Sequence, residues 1–500
     1  MRLILSAVLL LAVLSANGQF NPNQWSNRSV IVHLFEWKYK DIAEECENFL
    51  APNGFAGVQT SVPLENRIVP GRPWWERYQP VSYKFDTRSG NEAAFLDMSR
   101  RCNAVGVRIY PDIIINHMAA GSGMGWNGGM GTGGSESNPD ILLFPAVPYG
   151  PNDFNQPQCA IDDCYCDPAN IRNCNLVGLT DLALSQQWVR DKTVEFMNRL
   201  VDLGVAGFRV DTVKHMWPGD LEAVFPRVKN LNTAFGFAPN SRPFFAQEVI
   251  DLGGEAISKF EYKHLGTVTE FSFSEEIGRA FSGRLELKNL RLFGEAWGFL
   301  PSHAALTFID NHDNQRESHK ENILTYKQSR IYKMATAFHL AFTYGVPRIM
   351  SSYAFTNFDQ GPPMDANENI VSRSINADGS CGNGWVCEHR WHQIYHMVRF
   401  RNVVRGTSVE HFWDNGSNQI AFARGNRGFI AFNGQFGVNM QVWLQTGLSA
   451  GTYCDVISGD KVGSVCTGRS VVVFADGRGE IILPANAEDG VLAIHAESKL

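Results

Sequence analysis

Eight short runs of apolar and β-branched residues, separated mostly by longer stretches with amphipathic spacing, constrain this chain more than any other feature. The runs fall at 30–37, 55–61, 107–116, 207–212, 243–249, 267–273, 306–311 and 346–352, and helical periodicity occupies 92–103, 186–203, 221–230 and 328–342. Short apolar strands that alternate with helices read as a parallel sheet covered on its outer face. Eight such units predict an α/β fold, a (β/α)8 TIM barrel.

Two stretches break the alternation. Residues 117–181, after the third run, are rich in Gly, Pro, Asn and Cys, and a loop of that length predicts a small inserted domain. After Gly406 the helical spacing stops, and segments such as QIAFARG, FIAFNG, MQVWLQ and EIILP follow. They predict a C-terminal antiparallel β domain over 407–500. The barrel then comprises 19–116 and 182–406. A chain of 500 residues exceeds what one core usually organises, which agrees with this division.

The first eighteen residues, MRLILSAVLLLAVLSANG, carry the charge at Arg2, the apolar run from Leu3 to Leu14 and the small residues Ala16 and Gly18 of a secretory signal. The run is too short to span a bilayer, so no membrane association is expected after cleavage. Ten cysteines, an even number, agree with an oxidising compartment. The terminal Ser498-Lys499-Leu500 matches a peroxisomal address. An exported chain never meets that receptor, so the expectation is a secreted, extracellular protein. A net charge of −7 argues against a nucleic-acid partner.

Polar residues at strand ends are the place for chemistry, because sites in this fold open on the C-terminal face. The fourth run reads GFRVDTVKH and puts Arg209 and Asp211 on one face by alternation. The seventh, LTFIDNHDNQR, places Asn311 and Asp313 in the same relation, and PFFAQEV delivers Glu248 at the end of the fifth. Three carboxyls from three strands suit glycoside cleavage. One attacks the anomeric carbon, while a protonated one protonates the leaving oxygen and then activates water. A buried Arg209 requires an anion, either Asp211 or a bound one.

The segments DIIINHM, GFRVDTVKH, AQEVID and FIDNHDNQR occur in order on these strands. With a likeness running from QFNPNQW to AIHAESKL, the chain resembles the chloride-dependent animal branch of the α-amylase glycoside hydrolase family. The resemblance implies a digestive, monomeric endo-hydrolase of α-1,4-glucosidic bonds in starch, glycogen and maltooligosaccharides, acting by a retaining double displacement. It assigns Asp211 as nucleophile, Glu248 as general acid/base and Asp313 as transition-state stabiliser. One calcium ion (Ca2+) is expected on the side chains of Asn116 and Asp181 and the carbonyls of Arg172 and His215, an oxygen shell of the kind calcium takes. One chloride (Cl-) is expected on Arg209, Asn311 and Arg348, close enough to Glu248 to raise its pKa.

Substrate contacts implied by the resemblance are Trp74, Trp75, Tyr78 and Gln79 of RPWWERYQP, with His117, Lys214, His215 and His312. Neighbouring Trp on an extended segment point in opposite directions, so at least one is expected at the surface. The resemblance also implies disulfides Cys46–Cys102, Cys159–Cys174, Cys381–Cys387 and Cys454–Cys466. It leaves Cys164 and Cys166 open, and four cysteines within 159–174 permit three connectivities. Two departures suggest an invertebrate-like member. The glycine-rich loop of many animal relatives is here the charged ESHKEN at 317–322, so no role passes to His319, and Phe85-Asp86 stand where vertebrate relatives carry a cysteine.

Three further signals carry no function at this level. Gly123, Gly125 and Gly128 satisfy G-x-G-x-x-G, but no helical pattern follows directly and the stretch reads as a cleft-lip loop. His392 and His396 are four apart on a helix and, without a third ligand, read as helix-surface residues. Asn27 and Asn415 begin glycosylation sequons.

Overall fold

In the computed structural model, which describes residues 19–121, 129–316 and 322–500, eight parallel strands close into one barrel in chain order. They are β1 (Ile31–Leu34), β2 (Gly57–Thr60), β3 (Arg108–Ile113), β4 (Gly207–Val210), β5 (Phe244–Gln247), β6 (Thr267–Thr269), β7 (Ala305–Thr307) and β8 (Val346–Ser351). β8 returns to β1 with Arg348 opposite Ile31, so no edge remains. Every residue of β1 to β7 is buried. That two-sided burial is why the segments read as apolar runs.

All eight expected strands form, but several are shorter than their apolar runs. The run at 267–273 passes into the helix Phe271–Phe281, and 306–311 continues past Thr307 into a turn. The helix expected at 221–230 ends at Val224 and tightens to a 3-10 turn over Phe225–Arg227. Pro226, which has no N–H to donate, cuts it there. Helix Glu92–Ala104 shows the local logic. Asn91 caps it by accepting from the Ala94 N–H at 3.0 Å, and Gly106, at φ +78°, turns the chain into β3.

The 117–181 excursion is closed by an antiparallel ribbon of His117–Ala120 with Leu179–Asp181, in which His117 faces Asp181. The four disulfides implied by resemblance are present, and the open pair resolves as Cys164–Cys166. The C-terminal region forms two four-stranded antiparallel sheets around a core that includes Phe429, Leu444, Tyr453, Ile481 and Leu492. It docks on the barrel by Phe422 and Phe432 against Phe338. Near the chain end Ser498 is buried and the Leu500 N–H donates to the Thr452 carbonyl at 2.9 Å, while the Leu500 side chain is exposed. Among the described residues no helix is long and apolar enough to cross a membrane. The expected leader at 1–18, the glycine motif at 123–128 and 317–321 of ESHKEN lie outside the described residues.

Candidate active site

The β-ladder runs one residue past β4 and β5 and fixes the next two backbones. The Asp211 N–H donates to the Ile113 carbonyl and the Glu248 N–H to the Val210 carbonyl, each at 2.9 Å. Thr212 follows at φ +49°, a left-handed conformation that a β-branched residue avoids. From that position its N–H meets Glu248 Oε2 at 2.8 Å. Arg209, opposite Asp112 in the β3–β4 register, is buried beneath. Its Nη1 reaches Asp112 Oδ1 at 2.7 Å and Asp211 Oδ1 at 2.5 Å, and its Nη2 reaches Glu248 Oε1 at 2.6 Å. The pairing with Asp211 weighed from sequence is therefore present, extended to three carboxylates.

Asn311 and Asp313 do not share a strand face, because β7 has ended at Thr307. A turn brings them together instead. Asn311 Oδ1 accepts from the N–H of Asp313 at 3.1 Å and of Asn314 at 2.7 Å. His312 Nε2 lies 3.3 Å from Asp313 Oδ2 and 2.7 Å from the Tyr78 hydroxyl, and the Tyr78 and His312 rings stack at 5.3 Å. The Tyr78 hydroxyl also donates to Asp112 Oδ2 at 2.8 Å.

Burial raises the pKa of all four carboxyls: Asp112 to about 7, Asp211 and Glu248 above their ordinary values, and Asp313 well above. Arg209 opposes the shift at each. Burial also pushes the His33, His117 and His312 imidazoles down, so these rings are neutral near pH 7. Two guanidiniums, Arg209 and Arg348, act on these acids, and the titrations of the neighbouring carboxyls are linked.

A cavity of about 490 Å3 gathers Asp211, Glu248 and Asp313 with Trp74, Trp75, Tyr78, Gln79, His117, Lys214 and His215. Of the expected substrate contacts only His312 lies off its wall, one layer back against Tyr78. The aromatic segment is not extended as expected. Trp74–Tyr78 is a 3-10 turn, and both Trp reach the same cavity, anchored through Nε1 to the Phe358 carbonyl and to Asp359 Oδ1, each at 2.8 Å. Sequence reasoning missed Tyr165, Leu176, Val177 and Leu179 from the insert, and Thr212, Ile250 and Phe358. It also gave no role to Asp112, although that residue opens the DIIINHM segment.

The expected calcium residues converge where the insert meets the barrel. Asn116, Arg172 and His215 line a small cavity of about 130 Å3 with Asn155. Asp181 is buried there, holds only neutral amide partners such as Asn155 Nδ2 at 2.6 Å, and has its carboxyl pushed up to about 8 by burial. Among the described residues no group donates a hydrogen bond to the Arg172 or His215 carbonyl. A buried acid without a cation beside free carbonyls fits a hard divalent ion. The two arginines expected at the anion fit as well. Arg209 Nε is buried without a partner. Arg348 meets no carboxylate among the described residues, only Gln59 Oε1 at 2.8 Å.

The sequence pattern of the α-amylase catalytic domain matches residues 74–351, and that of the α-amylase C-terminal all-β domain matches 411–497. An α-amylase of Tribolium castaneum is 57% identical over 99% of both chains, and an α-amylase-related protein of Drosophila melanogaster is 55% identical over 99% of both. Among solved structures, a variant of α-amylase I of Eisenia fetida in complex with maltohexaose superposes with a TM-score of 0.90 at 44% identity, covering 96% of this chain and 99% of that one. The chain is a member of the α-amylase family of glycoside hydrolases.

Proposed function

We propose that this protein is a secreted α-amylase that cleaves internal α-1,4-glucosidic bonds of starch and glycogen with retention of configuration. The observation that carries the reading is a single cavity lined by Asp211, Glu248 and Asp313 together with Trp75 and Tyr78. Flat aromatic faces suit glucose rings, and the three acids suit the bond between them. The maltohexaose bound to the Eisenia relative supports the same substrate class.

In this mechanism Asp211 attacks the anomeric carbon, and the Arg209 guanidinium against its Oδ1 favours the ionised nucleophile. Glu248, whose pKa burial raises against the opposing Arg209 and the Asp211 charge raises further, is the acid that protonates the departing glycosidic oxygen. The same carboxylate then takes a proton from the water that releases the glycosyl-enzyme. Asp313, held by the Asn311 turn beside neutral His312, orients the sugar and stabilises the positive charge that develops on it. Asn116, Asp181, Arg172 and His215 would hold calcium, which ties the insert to the barrel. Arg209, Asn311 and Arg348 would hold chloride, whose charge favours the protonated acid at Glu248.

Hydrolysis of an end-blocked maltooligosaccharide tests the reading, with release of the α-anomer expected by NMR. No cleavage with both ions supplied, or turnover retained by Asp211→Asn, would refute it. Secretion is tested by N-terminal sequencing of the exported chain, which should begin at Gln19.

A further inference from the structure

The last barrel helix, His392–Val403, places His392 and His396 one turn apart on one face. The fold supplies the third group that the helix pattern lacked. Asp460 arrives from the C-terminal domain, in the turn between the strands Gly451–Cys454 and Lys461–Val462. One ring nitrogen of each histidine and one carboxylate oxygen of Asp460 lie within 4.8 Å of one another. His396 is only 5% exposed, and its Nε2 stands 2.9 Å from Asp460 Oδ1 without the alignment of a hydrogen bond. His392 Nε2 is likewise buried without a partner. Two orphaned imidazole nitrogens beside a carboxylate are a cost that the native state carries unless something satisfies them.

We propose that His392, His396 and Asp460 bind a divalent transition-metal ion of the zinc type and so link the barrel to the C-terminal domain. Two imidazoles and one carboxylate are the donor set for zinc and its neighbours, whereas calcium takes oxygens. Metal–ligand bonds of about 2.0–2.1 Å put adjacent tetrahedral donors roughly 3.3 Å apart. The 2.9 Å pair is already near that spacing, and a separation of up to 4.8 Å closes by side-chain rotations that bring the atoms roughly 1.5 Å nearer.

The surroundings accommodate an ion. Arg399 lines the same groove but is tied by its Nη2 to Asn53 Oδ1 at 2.6 Å, and His495 accepts from the Glu497 N–H. Tyr395 lies between the two histidines in sequence, with its hydroxyl 3.4 Å from His392 Nδ1, where it can steady the ring. Asp460 is half exposed, and a groove of about 810 Å3 beside His396 and Asp460 gives an entry path and room for a water as fourth ligand.

The test uses the full, calcium-loaded chain titrated with Zn2+ by calorimetry, with the thermal midpoint followed in parallel and Co2+ as spectroscopic probe. One Zn2+ per chain, an upward shift in Tm and a tetrahedral Co2+ absorption are expected for the wild type. His392→Asn, His396→Asn and Asp460→Asn should each weaken Zn2+ binding by about 100-fold, with starch hydrolysis in calcium unchanged. His396 is buried, so Asp460→Asn at the half-exposed position is the arm that keeps the fold. No Zn2+ bound by the wild type, or wild-type affinity in Asp460→Asn, would overturn the proposal.

Discussion

Arg348 offers the sharpest energetic test of the anion site. It is 3% exposed on β8, makes one hydrogen bond to Gln59, and lies 4.9 Å from the Phe308 ring. Burial, then the like charge of Arg209, pull its pKa from 12.5 to about 10. That depression is a penalty of about 3 kcal/mol on the charged form, carried unless an anion offsets it. Arg348→Gln removes the charge and the anion's holder together. In gluconate without chloride, the variant should therefore equal or exceed wild-type stability by up to about 3 kcal/mol, less the cost of the shortened side chain. Chloride should raise the wild-type Tm in proportion to the logarithm of its concentration over Kd, and leave the variant unmoved. With about 2 °C per kcal/mol for a chain of this size, the order of the two midpoints should reverse between salts. Scanning calorimetry at one scan rate, constant calcium and equal ionic strength reads this directly. An equal chloride shift in both proteins, or a wild type several kcal/mol more stable in gluconate, would refute the reasoning.

Glu45 is a buried hub that accepts from His389 Nε2 at 2.9 Å and Arg390 Nε at 2.6 Å. Burial alone would raise its pKa, but these hydrogen bonds outweigh it and hold the carboxyl down at about 2. The contribution is fully present above the ordinary value of 4.5 and is lost as pH falls towards 2; Glu45→Gln should cost about 3 kcal/mol at pH 7 in guanidinium unfolding and flatten that acid limb. Asp181→Asn should weaken calcium binding at least about tenfold and make activity sensitive to dilute chelator. In the wild type, calcium binding at pH 6 should release one proton, seen by calorimetry in two buffers, because the metal-free acid is protonated below about 8. Trp75→Ala should raise KM for maltooligosaccharides about tenfold with kcat within about twofold, the mark of lost uniform binding.

The barrel was legible because two-sided burial leaves an unbroken apolar record, and β1 to β8 fall on the eight runs. What sequence could not convey was where a strand stops being a strand. Asn311 and Asp313 looked like one face of β7, yet they meet through a turn that Asn311 itself ties. Trp74 and Trp75 looked extended, yet a 3-10 turn brings both to one cavity. Contacts from the insert were invisible, since Leu176 and Val177 lie in a segment without periodicity and gain meaning only when folded over the cleft. Asp460 was beyond reach for a related reason: nothing local links it to histidines more than sixty residues earlier.

The ribbon of His117–Ala120 and Leu179–Asp181 sets the two ends of the 117–181 excursion side by side. To the barrel, the whole excursion therefore counts as one connection of almost no span. Doubling the length of such a loop costs only about 0.6 kcal/mol of closure entropy. The wall that carries Tyr165, Leu176 and Val177 can be lengthened, trimmed or resculpted while the strands that hold Asp211 and Glu248 stay as they are. Cleft shape and reaction chemistry can thus be varied separately, and an engineer is free to change the first while keeping the second.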